Sequence, residues 1–145
     1  MHSVRAGFAA AVVGASLVVP AVAVAAPTVS VAPTAQLSPE GASVLVPVTL
    51  TCDPGTQASI SVGVAQSSGK RLLRATGSSG IPPSGSLITC DGTAHVVPIR
   101  ATVSGDAPMK PGKAEVTATV FQSTAVPPFQ QLTATAGPQA LSLKK

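Results

Sequence analysis

Leu50-Thr51-Cys52-Asp53-Pro54-Gly55-Thr56 and Ile88-Thr89-Cys90-Asp91-Gly92-Thr93 decide how this chain is read. Each stretch is the end of an alternating strand, then a cysteine, then turn-forming residues, then the start of another strand. Cys52 and Cys90 are the only cysteines in the sequence. In an exported chain such a pair is expected to be oxidised, so we read them as one disulfide. In the chain-entropy description, closing a loop of about 38 residues contributes roughly 4 kcal/mol.

Working outward from the two cysteines, the pattern is strand after strand. Residues 43–52 alternate with Val44, Val46, Val48, Leu50 and Cys52 on one face, which puts the sulfur in the core phase. Pro47 lies on the other face, and its missing N–H predicts an edge or a bulge there. Residues 58–66 place Ile60, Val62 and Val64 on one face, and residues 71–76 form a shorter, more polar strand after a turn at 67–70. Its cluster Lys70, Arg71 and Arg74 reads as a solvated edge strand guarded against aggregation. Residues 77–85 read as a surface loop and 86–90 as a strand ending at Cys90. Asp91-Gly92 is a two-residue hairpin signal, so the next strand, 94–104, with Val97, Ile99, Ala101 and Val103 on one face, is expected to fold straight back. Residues 113–122 bury Ala114, Val116, Ala118 and Val120, and residues 131–143 supply a last strand broken at Gly137-Pro138. Seven or eight strands with turn residues between them indicate an all-β sandwich or barrel. With both cysteines inward, the expectation is an immunoglobulin-like antiparallel β-sandwich with one disulfide.

The N-terminus has the layout of a secretory signal: Arg5 supplies the charge, residues 6–19 are mostly apolar, and Pro20 precedes small residues through Ala26. Cleavage is expected after Ala25. The apolar run is short of the ~20 residues a span needs, which disfavours an uncleaved anchor. Three segments follow: a signal at 1–25, an extended lead-in with an edge strand at 26–42, and the sandwich domain at 43–145. The mature chain is expected outside the cell, with no membrane segment after cleavage.

Composition narrows the function. The sequence has no Trp and no Tyr, so the core must be built from Val, Ala, Leu and Ile. The net charge is only +4, and its cations are scattered: Lys70, Arg71, Arg74, Arg100, Lys110, Lys113, Lys144 and Lys145. Nucleic-acid binding needs a basic stripe interleaved with stacking aromatics, and the chain has neither. Catalysis is poorly provisioned too. His95 is the only histidine beyond the signal, and no Gly-x-Ser-x-Gly elbow occurs. Asp53 and Asp91 follow the cysteines, where their expected task is shaping turns. Too few carboxylates cluster for calcium, and no cofactor is expected.

Candidate binding residues are therefore few. Met109 and Lys110, in the loop 105–112, form the only bait-like sequence. Phe121 is out of phase with its strand's core residues and lies across a Val-Pro-Pro loop from Phe129, so the two rings form a candidate apolar contact.

Residues 48–55, Cys90-Asp91-Gly92-Thr93-Ala94-His95, Lys110-Pro111-Gly112-Lys113-Ala114 and the Ala-rich signal resemble the small secreted immunoglobulin-like proteins of actinobacteria. That resemblance implies fold and export, and no activity. Ala26-Pro27-Thr28 with Val31, Pro33, Leu37-Ser38 and Gly41 is similar to the start of enediyne-chromophore apoproteins, which carry two disulfides and cleft aromatics that this chain lacks. Residues 48–55 also resemble a stretch of the subtilisin-inhibitor family, without its second disulfide or its cysteine-flanked reactive loop. The expected function is a secreted noncatalytic domain, binding or structural, at the cell surface or beyond it. Its expected partner is a protein or a cell-envelope component. A carrier of a small apolar ligand and a protease inhibitor using the loop 105–112 are the alternatives.

Overall fold

The computed structural model describes residues 23–79 and 87–145. Residues 1–22 of the expected signal at 1–25, residues 80–85 of the expected surface loop at 77–85, and residue 86 of the expected strand 86–90 lie outside the described residues. Among the described residues there are nine strands: β1 (Thr28–Val31), β2 (Thr34–Leu37), β3 (Ser43–Thr51), β4 (Thr56–Ser68), β5 (Arg71–Ser79), β6 (Ile88–Thr89), β7 (His95–Ser104), β8 (Gly112–Thr124) and β9 (Gln131–Lys144). No helix occurs among the described residues, so none is long and apolar enough to cross a membrane.

The strands do not build the two separate sheets of an immunoglobulin-like sandwich. They close into a seven-stranded barrel in the order β3, β2, β9, β8, β4, β5, β7 and back to β3. Two corner strands make the closure. β2 pairs antiparallel with β3 and parallel with β9, and β5 pairs with β4 along its length and with β7 through Arg74, Ala75 and Thr76. Closure removes the exposed strand edges that a sandwich has to protect.

Alternation built the interior as expected. Val44, Val46, Val48 and Leu50 of β3 meet Ile60, Val62 and Val64 of β4, Ile99 and Ala101 of β7, and Val116, Ala118 and Val120 of β8, all buried. The lead-in contributes as well, through Val31, Ala35 and Leu37. The core is wholly aliphatic apart from the disulfide and Met109.

Four local expectations are corrected. Pro47 is neither at an edge nor in a bulge: it pairs in register with Pro98, and β3 has neighbours on both sides. Its carbonyl accepts the Ala32 N–H at 3.1 Å, so its missing N–H faces the junction of β1 and β2, away from β7. The pair Pro47–Pro98 is therefore one that exchanges no ladder hydrogen bonds. Second, Gly137-Pro138 does not break β9. The register shifts between Val116 and Ala118, so the strand runs through with an extra residue bulged out. Third, Asp91-Gly92 is not a hairpin turn, because β6 pairs with β4 while β7 pairs with β3. Fourth, the basic strand β5 is a barrel corner, not an edge.

The doubled cysteine motif forms one unit at one end of the barrel. Cys52 and Cys90 are bonded, with Cα atoms 5.3 Å apart, and both are buried. Asp53-Pro54-Gly55-Thr56 is a tight turn: the Thr56 N–H donates to the Asp53 carbonyl at 3.2 Å, and Gly55 sits at φ 78°. A proline followed by a glycine of positive φ is what a type II turn requires. The second motif docks on the first, with the Cys90 N–H donating to Thr56 O at 3.0 Å and the Gly92 N–H to Cys52 O at 3.1 Å.

Candidate functional site

The outward faces of β4, β8 and β9 form one continuous surface, because these three strands are consecutive in the barrel. Their registers stack the outward residues in rows. Ser59, Phe121 and Thr133 make one row, Ser61, Thr119 and Thr135 the next, and Gly63 and Thr117 extend it. On the other side of Phe121, a row of Gln57, Ser123 and Gln131 leads to an open depression of about 760 Å³ walled by Thr124, Ala125, Phe129 and Gln130. No formally charged side chain stands in these rows. The first is Glu115, opposite Ala65 and beyond Thr117.

Both phenylalanines of the described chain belong to this surface, and neither is in the core. Phe121 is 41% exposed and Phe129 74% exposed. In a protein whose interior is aliphatic, leaving both rings in water forgoes the largest side-chain burial available to it. Phe129 walls the depression, whereas Phe121 stands on the strands one row away. The alternation in 113–122 already marked Phe121 as outward. Thr119 and Thr135 lie face to face, with hydroxyl oxygens 3.5 Å apart. The serines and threonines were visible in the sequence as the polar phase of each strand, but their assembly into one face depends on strand pairing.

Met109 and Lys110 take different places from those expected of a bait loop. The Met109 side chain is 2% exposed and joins the core, and its N–H donates to the Gly41 carbonyl at 3.0 Å. Lys110 is fixed through its main chain. Gln66 Nε2 donates to the Lys110 carbonyl at 2.8 Å, and the Lys110 N–H donates to Gln66 Oε1 at 2.9 Å. Gln66 itself is buried. The loop therefore plugs the end of the barrel opposite the disulfide. Gln66 carried a readable signal, being a polar residue in phase with Ile60, Val62 and Val64. Buried polar side chains in such positions have hydrogen-bond partners.

A hydroxyl, an imidazole and a carboxylate do meet beside the second cysteine. His95 Nε2 lies 2.8 Å from Asp91 Oδ1 and 3.1 Å from Thr93 Oγ1, and the Thr93 hydroxyl donates to the same Asp91 oxygen at 2.8 Å. A nucleophilic relay needs the hydroxyl on one ring nitrogen and the carboxylate on the other. Here both share Nε2, and the two side chains are about half exposed, so the arrangement shapes a turn and is not that relay. Asp53 is not part of it; its Oδ2 accepts the Ala25 N–H at 2.7 Å. Among the described residues, no group of three or more histidine, cysteine or acidic side chains is placed to hold a metal ion.

The Asp91 turn has a pH signature. The Thr93 N–H first, then the His95 ring and the Thr93 hydroxyl, hold the Asp91 carboxyl at about 2 against an ordinary 3.8. Because the folded value is the lower one, the stability this group contributes is complete above pH 3.8 and is lost as pH falls through about 2. Asp91→Asn should therefore flatten the acid limb of the stability curve in that window, read as urea midpoints at stepped pH. Parallel curves for the two proteins would show that the carboxylate is not responsible.

No protein-family model, curated protein or solved structure matches the chain.

Proposed function

We propose that this protein is a secreted, noncatalytic binding module that works at the cell surface or beyond it. Recognition is assigned to the outward face of β4, β8 and β9. The observation that carries this reading is the exposure of both rings, Phe121 and Phe129, at one neutral face of a protein with an aliphatic core. Export is supported by the N-terminal signal pattern and by the disulfide, which persists in oxidising compartments. The immunoglobulin-like reading is supported by connectivity: β3 pairs with β7, while β4, β8 and β9 follow one another on the opposite wall. The barrel is then a sandwich whose two sheets have been joined at both corners.

The two alternatives lack an observation in their favour. An inhibitor would present Met109 and Lys110 together on a protruding loop. The Met109 side chain is buried in the core, and Lys110, whose side chain is exposed, has its main chain tied down to Gln66. A carrier of apolar ligands would enclose a greasy cleft. The largest depressions bordered by described residues are open, and glutamine, serine, threonine, lysine or glutamate line them alongside the apolar groups.

The test is capture from cell envelope and culture supernatant by the immobilised mature protein. Phe121→Ala should lose the captured component, whereas Val96→Ala, an exposed change on β7, should keep it. Equal capture by both variants would remove the face from the reading.

A further inference from the structure

We infer that the ligand of the β4–β8–β9 face is an uncharged polysaccharide, bound along an internal stretch of its chain; this rests on the proposed binding role of that face. The argument is one of chemical complementarity. The rows around Phe121 carry no formal charge although the chain is basic, with a net charge of +4. The first charged side chain beyond them on β8 is the anion Glu115, so the rows themselves hold no cation to attract an anionic polymer or an acidic peptide. It offers hydroxyls and side-chain amides in rows, with a single large apolar group, Phe121, in their midst. A lipid surface or a second copy of the chain would need a cluster of large apolar side chains at the centre of the contact. A sugar ring needs what is present. Its C–H face stacks on an aromatic ring, and its hydroxyls exchange hydrogen bonds with serine, threonine and glutamine, directly or through water.

Shape selects a polymer over a free monosaccharide. The rows from Gln57 to Gly63 extend about 20 Å along the strands, and three strands span about 10 Å across them. The rows end in an open depression, where Phe129 supplies a second ring, and at their other end Gly63 and Thr117 border a smaller hollow with Arg74 and Glu115. A single sugar would be held on one side only. An extended chain can lie on Phe121 and reach Phe129 with a later unit.

Native gels cast with soluble neutral polysaccharides (a β-glucan, a mannan, an arabinogalactan) provide the test, with heparin as the anionic control. At least one neutral polymer should retard the protein, and high salt should not abolish the effect, because no charges carry it. Phe121→Ala should weaken binding about tenfold, which corresponds to about 1.4 kcal/mol. Thr119→Ala with Thr135→Ala should weaken it further, and the circular dichroism of each variant checks folding. Retardation by heparin alone, or dimerisation in solution that Phe121→Ala reverses, would overturn the inference. So would a captured envelope protein that depends on Phe121 while no neutral polymer binds, an outcome that leaves the binding role of the face standing. Envelope capture indifferent to Phe121 would remove that role itself.

A separate observation concerns the processing site, and it rests on reading the N-terminus as an export signal. Gln122 is 1% exposed, and its Nε2 donates to the Ala25 carbonyl at 3.1 Å, while the Ala25 N–H donates to Asp53 Oδ2 at 2.7 Å. Cleavage after Ala25 would remove the residue that satisfies a buried amide. Ala21-Val22-Ala23 presents the same small-x-small pattern two residues earlier, and we infer that the mature chain begins at Val24. N-terminal sequencing of the exported full-length product should read Val24-Ala25-Ala26. A start at Ala26 would overturn the site while leaving export intact, and an uncut Met1 terminus would remove both.

Discussion

The Cys52→Ala, Cys90→Ala double variant is expected to unfold with about 4 kcal/mol less stability than the wild type in urea. The bridge spans 38 residues, and releasing it returns that much loop-closure freedom to the unfolded chain. Against a typical domain stability of about 5–15 kcal/mol this is a large share. The folded variant should keep the geometry of the paired turns, because the hydrogen bonds from Cys90 N to Thr56 O and from Gly92 N to Cys52 O involve only main-chain atoms. The effect then lies mainly in the unfolded state, which has a second signature. An unfolded chain without the cross-link exposes more surface, so the denaturant slope should rise as the midpoint falls. A loss below about 1 kcal/mol with an unchanged slope would show that the staple contributes little and that the hydrogen-bonded turns hold this end alone.

The sequence was informative about faces and much less so about neighbours. Alternation identified the inward residues of β3, β4, β7 and β8 because side-chain direction has a period of two whatever the strand pairs with. It also placed both sulfurs inward. Pairing was not readable in the same way. Asp91-Gly92 carries ordinary hairpin chemistry, yet the Asp91 side chain accepts the Thr93 N–H at 2.9 Å and the chain turns away to a different strand. β6 then finds β4, a choice made by the disulfide and by the docked turns rather than by local propensity. Met109 was misplaced for a related reason. Residues 105–111 have no periodicity, and only the seat formed by Gly41 and Gln66 turns the methionine inward. The candidate face lies between these cases. Its serines and threonines were legible as the polar phase of three strands, whereas their contiguity needed the order β4–β8–β9. Gln122 was legible too: it falls in phase with Val116, Ala118 and Val120, a position where a glutamine must find partners.

The difference between a barrel and a sandwich turns on Gly77, and a matched pair of variants measures it. A Cβ at Gly77 would strike the Arg100 carbonyl and the Ala101 backbone. Gly77 directly follows the three pairs that join β5 to β7 and close the ring, while on its other side β5 stays paired with β4 from Arg71 to Ser79. Only a residue without a side chain lets the two backbones approach so closely. Gly77→Val should therefore cost about 3 kcal/mol, since backbone has to move to accommodate it. The damage should also be local. Amide exchange should quicken along the β5–β7 seam, at Thr76 and Thr102, while the long β8–β9 ladder keeps its protection. Gly63→Val is the matched control. Gly63 is also a strand glycine, in β4, but a Cβ there meets nothing within 4 Å. β-branched residues suit an exposed strand position, so this change should leave the urea midpoint level or raise it slightly. Equal midpoints for the two variants would mean that the β5–β7 seam bears no load, and that the molecule behaves as two sheets which merely touch.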